Sequence, residues 1–328
     1  MNDSNNGAPP YCRTELFLER EVVVGEGEWA LPATLTCPKA SMPAPGVVLV
    51  HGSGPNDRDE TVGPNKVFRD LAWGLASAGI AVLRYEKRTR QHGEKMLAGL
   101  GDKVTVKEET VDDAVLAAAA LRSMPEVDPK RVFVAGHSLG GFVAPRIGQR
   151  DPSLAGLIVL AGNSRPLDVL IEEQYAYLLD GPPGETDAGQ QMRKAITAQI
   201  ARVRDSGLSP HVDKSLLPLS LPASYWLDLR GYDPAATAAS MQMPLLIVQG
   251  ERDYQVRMAD FAGWKQALAG RQNVTLHSYE RVNHLLMEGD GKPGPAEYLT
   301  PGFVCAALVA DVAAWINSFP GSDGAQPA

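Results

Sequence analysis

The chain is poor in cysteine. Its 328 residues hold three, Cys12, Cys37 and Cys305. Three is an odd number, the spacing is wide and no CxxC pair occurs, so neither a disulfide framework nor a zinc site is indicated. No metal is expected, and free thiols suit a reducing compartment. Long apolar runs are also lacking; none approaches the roughly 20 residues that cross a bilayer. Basic charge is in deficit, with Lys and Arg numbering 31 against 39 Asp and Glu, a net charge of −8. Nucleic acid and anionic membranes both need clustered Lys and Arg, so neither is expected as a partner. The N-terminal stretch MNDSNNGAPPYCRTELFLER is polar and holds no apolar segment of the secretory kind, so a cytoplasmic location is expected. Internal repeats and low-complexity tracts are absent.

What is present is an ordinary globular composition, 44% hydrophobic and 21% charged. TELFLEREVVV and EWALPATLTC read as two strands of an antiparallel edge. GVVLVHG (46–52), GIAVLRYE (79–86), RVFVAG (131–136), LAGLIVLAG (154–162) and MPLLIVQGERD (243–253) are continuous apolar runs, as expected of strands buried on both faces. Helical spacing marks 67–79 and 105–123, the second opened by a capping-box pattern at Thr105 and Glu108. Alternating strand and helix implies a mostly parallel sheet flanked by helices, an α/β class. Residues 165–241 break the rhythm with helical stretches and no strand. The chain therefore reads as a single domain, with core 14–164 and 242–318, a helical cap inserted at 165–241, and flexible tails at 1–10 and 320–328.

The stretch GHSLG places Ser138 between Gly136 and Gly140, a G-x-S-x-G match between a strand and a helix. A turn this sharp strains its central residue and requires small neighbours, because side chains there would meet the turning backbone. The alternative is a glycine-rich turn with a capping serine. A serine hydroxyl is a poor nucleophile at neutral pH and needs a base held by an acid. Of six histidines, His51 and His137 come too early, His92 and His211 lie in polar segments, and His277 sits within a strand. His284, in RVNHLLM, follows the last strand and is the expected base. Asp253, in GERDYQV, is the expected acid. Glu251 competes but lies closer to the strand. The backbone N–H of Leu139 and of Ser53, in the loop HGSGPNDRDE, are the expected donors to an oxyanion.

GVVLVHGSG, GHSLGG, GERDYQV and VNHLL together resemble the serine α/β-hydrolase family over about residues 14–318. HGSGPNDRDETVGPNK and AVLRYEKRT are similar to bacterial esterase and dienelactone-hydrolase-like members. The resemblance implies an α/β-hydrolase fold with an eight-stranded, mostly parallel sheet and the cap after the sixth strand. It implies nucleophile, acid and base roles for Ser138, Asp253 and His284, with no cofactor, acting on a small-molecule ester, lactone or thioester. A long exposed apolar lid of the lipase kind is missing. The same triad serves acyl-CoA thioesters and small peptides, and a binding protein of this fold that does not catalyse is the reading from another class. His137, Tyr175, Tyr225 and Trp226 are candidate substrate contacts. The run Arg84, Lys87, Arg88, Arg90 is expected to be a solvated loop, with Arg88 buried structurally; the alternative is that it meets an anionic group such as a carboxylate or a nucleotide phosphate.

Overall fold

The computed structural model describes residues 7–39 and 43–321. Eight strands form one sheet: β1 (Phe17–Val24), β2 (Leu31–Pro38), β3 (Ala44–Val50), β4 (Ala81–Tyr85), β5 (Val127–His137), β6 (Gly156–Leu160), β7 (Leu245–Gly250) and β8 (Val274–Tyr279). Their spatial order is β1-β2-β4-β3-β5-β6-β7-β8. β2 pairs antiparallel with both β1 and β4, and every other pairing is parallel.

β3 is buried along its whole length because both faces are covered. Its residues alternate between two cores. Val48 and Val50 face Ala114, Ala118 and Leu121 of α2 (Asp112–Arg122) and Phe142 and Ile147 of α3 (Leu139–Arg150). Val47 and Leu49 face Phe68, Leu71 and Leu75 of α1 (Val67–Ser77). The C-terminal helix Ala306–Asn317 adds Leu308, Val312 and Ile316 to that second face. Parallel strands require such crossovers, and the crossovers bury the sheet.

The helix expected over 105–123 begins with a wide turn, Lys107–Val111, of π-helical bonding, which turns Glu109 into the interior. Glu108 reaches back to accept from Thr105 N–H at 3.0 Å, half of the expected capping box. Between β6 and β7 the chain is helical: α4 (Leu167–Leu178), α5 (Asp187–Arg204), α6 (Ala223–Leu229) and α7 (Pro234–Ala239), with short turns between them. These helices share a hydrophobic core with α3, and Tyr232 donates to Phe142 O at 2.9 Å.

Of the tails expected to be flexible, residues 1–6 and 322–328 lie outside the described residues. Pro9 is buried, and its carbonyl accepts Cys12 N–H at 2.9 Å. The basic run departs from expectation. Arg84 is buried between Asp59 and Glu19, and Lys87 is buried against Glu109. Arg88 pairs with the buried Asp113, while Arg90 remains exposed. Burial without a partner would be costly, and the partners come from segments far away in sequence. Among the described residues, no helix is long and apolar enough to cross a membrane.

Candidate active site

Loops at the carboxyl ends of β3, β5, β6, β7 and β8, five in all, converge on one cavity of about 370 Å³. β5 delivers Ser138. The residue sits at φ 53°, ψ −115°, a conformation disfavoured for a side chain, and α3 starts immediately after it. The turn is held by Ser138 N–H donating to Leu160 O at 2.9 Å and Phe142 N–H donating to Ser138 O at 2.9 Å. The flanking glycines have no room to grow. A Cβ on Gly136 would lie 2.2 Å from Gly140 O, and one on Gly140 would lie 2.2 Å from Val50 O. The N-terminus of α3 thus abuts Ser138 and brings the free N–H groups of its first turn to the cavity.

β7 is followed by Asp253, whose side chain is buried. Its Oδ1 accepts from Gln255 N–H at 2.7 Å and Val256 N–H at 2.9 Å, and Gln249 Nε2 donates to Oδ2 at 3.3 Å. Oδ2 also meets His284 Nδ1 at 2.7 Å. The expected rival, Glu251, is exposed and accepts instead from Ser278 Oγ at 2.7 Å. His284 lies in a tight turn after β8. Asn283 Oδ1 organises that turn by accepting from Leu285 N–H at 3.0 Å and Met287 N–H at 3.2 Å. With Nδ1–H donated to Asp253, Nε2 is the acceptor of the neutral ring. Ser138 and His284 line the same cavity.

The β3 loop closes the site. Gly52, Ser53 and Leu139 line the cavity, and no acceptor among the described residues engages Ser53 N–H. Gly52 N–H is already committed to Glu60 Oε1 at 2.7 Å. His51, by contrast, is structural. Its Nε2 donates to Asp57 O at 3.0 Å, and burial brings its pKa down to about 4.

Sequence reasoning missed Glu60, which is buried at φ 47° on the cavity wall. Its Oε2 lies 2.9 Å from His137 Nδ1, an ion-pair contact too oblique for a hydrogen bond. Burial drives the His137 imidazole toward neutrality, but the Glu60 charge and the bond to His284 O outweigh it and raise the pKa. Burial opposes ionisation of Glu60 too, yet the facing imidazolium and Gly52 N–H hold its pKa below the usual carboxylate value.

The other expected contacts divide. His137 lines the Ser138 cavity. Tyr225 lines a neighbouring apolar cavity of about 540 Å³, which shares Ser53, Leu139, Leu167 and Leu219 with the first. Tyr175 and Trp226 reach neither. Tyr175 packs against the core, and Trp226 faces a separate surface cleft beside Arg204 and Arg230.

Residues 47–294 match the alpha/beta hydrolase family. Esterase EstD of Thermotoga maritima is 38% identical over 309 residues, covering 94% of this chain and 69% of that protein. Among solved structures, Est1E from Butyrivibrio proteoclasticus superposes with a TM-score of 0.56 at 15% identity, over 91% of this chain and 99% of that one. Pyrococcus horikoshii acylaminoacyl peptidase superposes with a TM-score of 0.53 at 17% identity, over 82% of this chain but 38% of that longer one. The two structures share the fold, and the esterase shares the sequence: the chain belongs to the α/β hydrolase family.

Proposed function

We propose that the protein is a serine hydrolase that cleaves carboxylic esters through an acyl-enzyme, with Ser138 as nucleophile, His284 as base and Asp253 as its orienting acid. One observation carries the reading. A strained serine and a histidine fixed through Nδ1 by a buried aspartate, at 2.7 Å, open onto one cavity at the carboxyl edge of the sheet.

The chemistry follows from that arrangement. Ser138 Oγ attacks the ester carbonyl carbon as its proton passes to His284 Nε2. Asp253 keeps the ring in the required tautomer and stabilises the imidazolium. The carbonyl oxygen gains the charge, and the N–H groups of Ser53 and Leu139 receive it. Each such donor lowers the barrier by about 3 kcal/mol. His284 then gives its proton to the departing alkoxide, leaving an acyl ester on Ser138. Water attacks that ester by the same route in reverse, releasing the acid and restoring the serine.

The larger cavity favours an uncharged, apolar group on the substrate. Met96, Leu97, Val104, Leu221 and Tyr225 line it beside the proposed oxyanion donors. The helical segment over 165–241 then acts as a cap, with Leu167, Leu219 and Tyr225 roofing the reacting carbonyl.

The test is Ser138→Ala, assayed on p-nitrophenyl esters alongside labelling with a fluorophosphonate. We expect turnover to fall by about 10⁴-fold or more with labelling lost and the thermal transition retained. Undiminished turnover in the folded variant would refute the assignment.

A further inference from the structure

Lys87 belongs to none of the roles assigned so far, yet it is among the most deeply buried side chains of the protein, at 2% exposure. An ammonium group is taken out of water only where partners compensate it. It has two. Nζ donates to Gly52 O at 2.7 Å and to Glu109 Oε1 at 2.6 Å. Glu109 arrives by the wide turn that opens α2, and its second oxygen accepts from Tyr225 OH at 2.6 Å. Burial and the Glu109 charge raise the Tyr225 pKa well above its usual value, so the phenol stays protonated and donates.

The position of that contact matters more than its strength. Gly52 O and Ser53 N–H belong to one planar peptide unit and point in opposite directions. Whatever pulls on the carbonyl aims the amide. Asn56 Nδ2 donates to the same oxygen at 3.1 Å. On the other side of Gly52, its own N–H is held by Glu60 at 2.7 Å. Gly52 is therefore held on both flanks, one peptide on each side, by buried charged side chains. The glycine between them has the backbone freedom to tilt if either is released. A cation on the carbonyl also draws electron density from the amide and strengthens it as a donor.

We infer that Lys87 is a positioning residue for the oxyanion site: it fixes and polarises the Gly52–Ser53 peptide so that Ser53 N–H faces the charge that develops on the substrate. Glu109 and Tyr225 complete a buried relay that ties this peptide to the helices between β6 and β7. The inference rests on the reading that Ser53 N–H serves an acyl transfer at Ser138. It adds that the peptide does not hold itself in place.

The experiment removes the ammonium without leaving a lone buried charge. Lys87→Met/Glu109→Gln is compared with the parent for thermal transition, kcat and KM on p-nitrophenyl esters, and Ki for a trifluoromethyl ketone that adds to the serine. A peptide that has lost its clamp serves the tetrahedral state worse than the ground state. We expect kcat to fall by about 10–100-fold, KM to move by less than about threefold, and Ki to rise in step with the loss of kcat. Lys87→Gln keeps a donor without the charge, and its kcat is expected to lie between the two; it decides the matter alone if the double variant does not fold. A folded variant with parental kcat, or with lower kcat and unchanged Ki, overturns the inference. Failure of the underlying reading looks different, because the parent itself would then turn over esters without being inhibited by the ketone.

Discussion

His137 Nε2 donates to the main-chain oxygen of His284 at 2.8 Å, and the two rings lie 4.9 Å apart, centre to centre. The residue before the proposed nucleophile thus supports the turn that carries the proposed base. Because Glu60 faces the other nitrogen of His137, one imidazole links the β3, β5 and β8 loops.

This link makes stability depend on pH in a definite direction. The folded chain raises the His137 pKa above 6.5, so it binds that proton more tightly than the unfolded chain. The resulting stabilisation is complete below the unfolded value and is lost as pH rises through the raised one. Glu60 has the opposite sign. Its lowered pKa stabilises the fold above 4.5, and that benefit is lost as pH falls through the lowered value. Between the two the pair is intact. His137→Gln should reduce the thermal transition temperature near neutrality, where Glu60 is left buried without its cation. It should also flatten the decline that sets in as pH rises above 6.5. Thermal unfolding of both proteins across that range is the measurement, and identical alkaline slopes would remove His137 as the titrating group.

Gly140→Ala tests the turn rather than the chemistry. The new Cβ would sit 2.2 Å from Val50 O and 2.9 Å from His51 O, both backbone atoms of the buried end of β3. Neither can move without shifting the central strand. The expected cost is about 3 kcal/mol or more, at the upper end of overpacking. Chemical denaturation reads it directly, and a midpoint unchanged from the parent would show that β3 yields. Gly136→Ala meets Gly140 O at the same distance and should behave alike.

Much of this was legible in local patterns. Uninterrupted apolar runs such as GVVLV and LIVL mark strands covered on both faces, since only burial on two sides removes the need for alternation. The glycines about Ser138 declare the sharp turn, because no other residue fits it. Asp253 and His284 could be nominated from chain order and from their places just past strands. Glu60 and Lys87 could not. Their partners, His137 and Glu109, are distant in sequence, and a charged residue in a polar loop looks solvated until its counter-charge is known. That Tyr175 and Trp226 pack into the core and line neither cavity was hidden for a related reason. A helix carries aromatics on several faces, and which face meets the cavity is decided by docking against α3, which no local pattern records.

Asp253→Asn keeps the shape of the acid and changes its hydrogen-bond character. The retained oxygen can still accept from Gln255 N–H and Val256 N–H, so the loop should keep its fold. The new amide then faces His284 Nδ1 and donates to it. This puts the proton on Nε2, the atom that accepts from Ser138 in the proposed mechanism. We expect kcat to fall by about 10³–10⁴-fold with KM changed little. The variant should recover activity as pH rises and the serine itself loses its proton more readily. A variant that keeps more than about a tenth of parental kcat would show that the aspartate is not needed to set the tautomer.

The apolar cavity beside Ser53 makes a prediction about chain length. It is built largely from Met96, Leu97, Val104, Leu139 and Leu221, with polar groups at its margin. Each methylene buried there contributes about 0.8 kcal/mol at most, so kcat/KM should rise along a series of p-nitrophenyl esters until the cavity is filled. Val104→Phe places a ring in that space. Val104 is half-buried, and its carbonyl still accepts from Ser224 Oγ at 2.9 Å, so the backbone tie to α6 survives the change. The variant should lose about tenfold or more in kcat/KM for an octanoate ester and less than about threefold for an acetate. Equal losses on both would place the acyl chain elsewhere, and the alcohol side of the ester would then be the group this cavity holds.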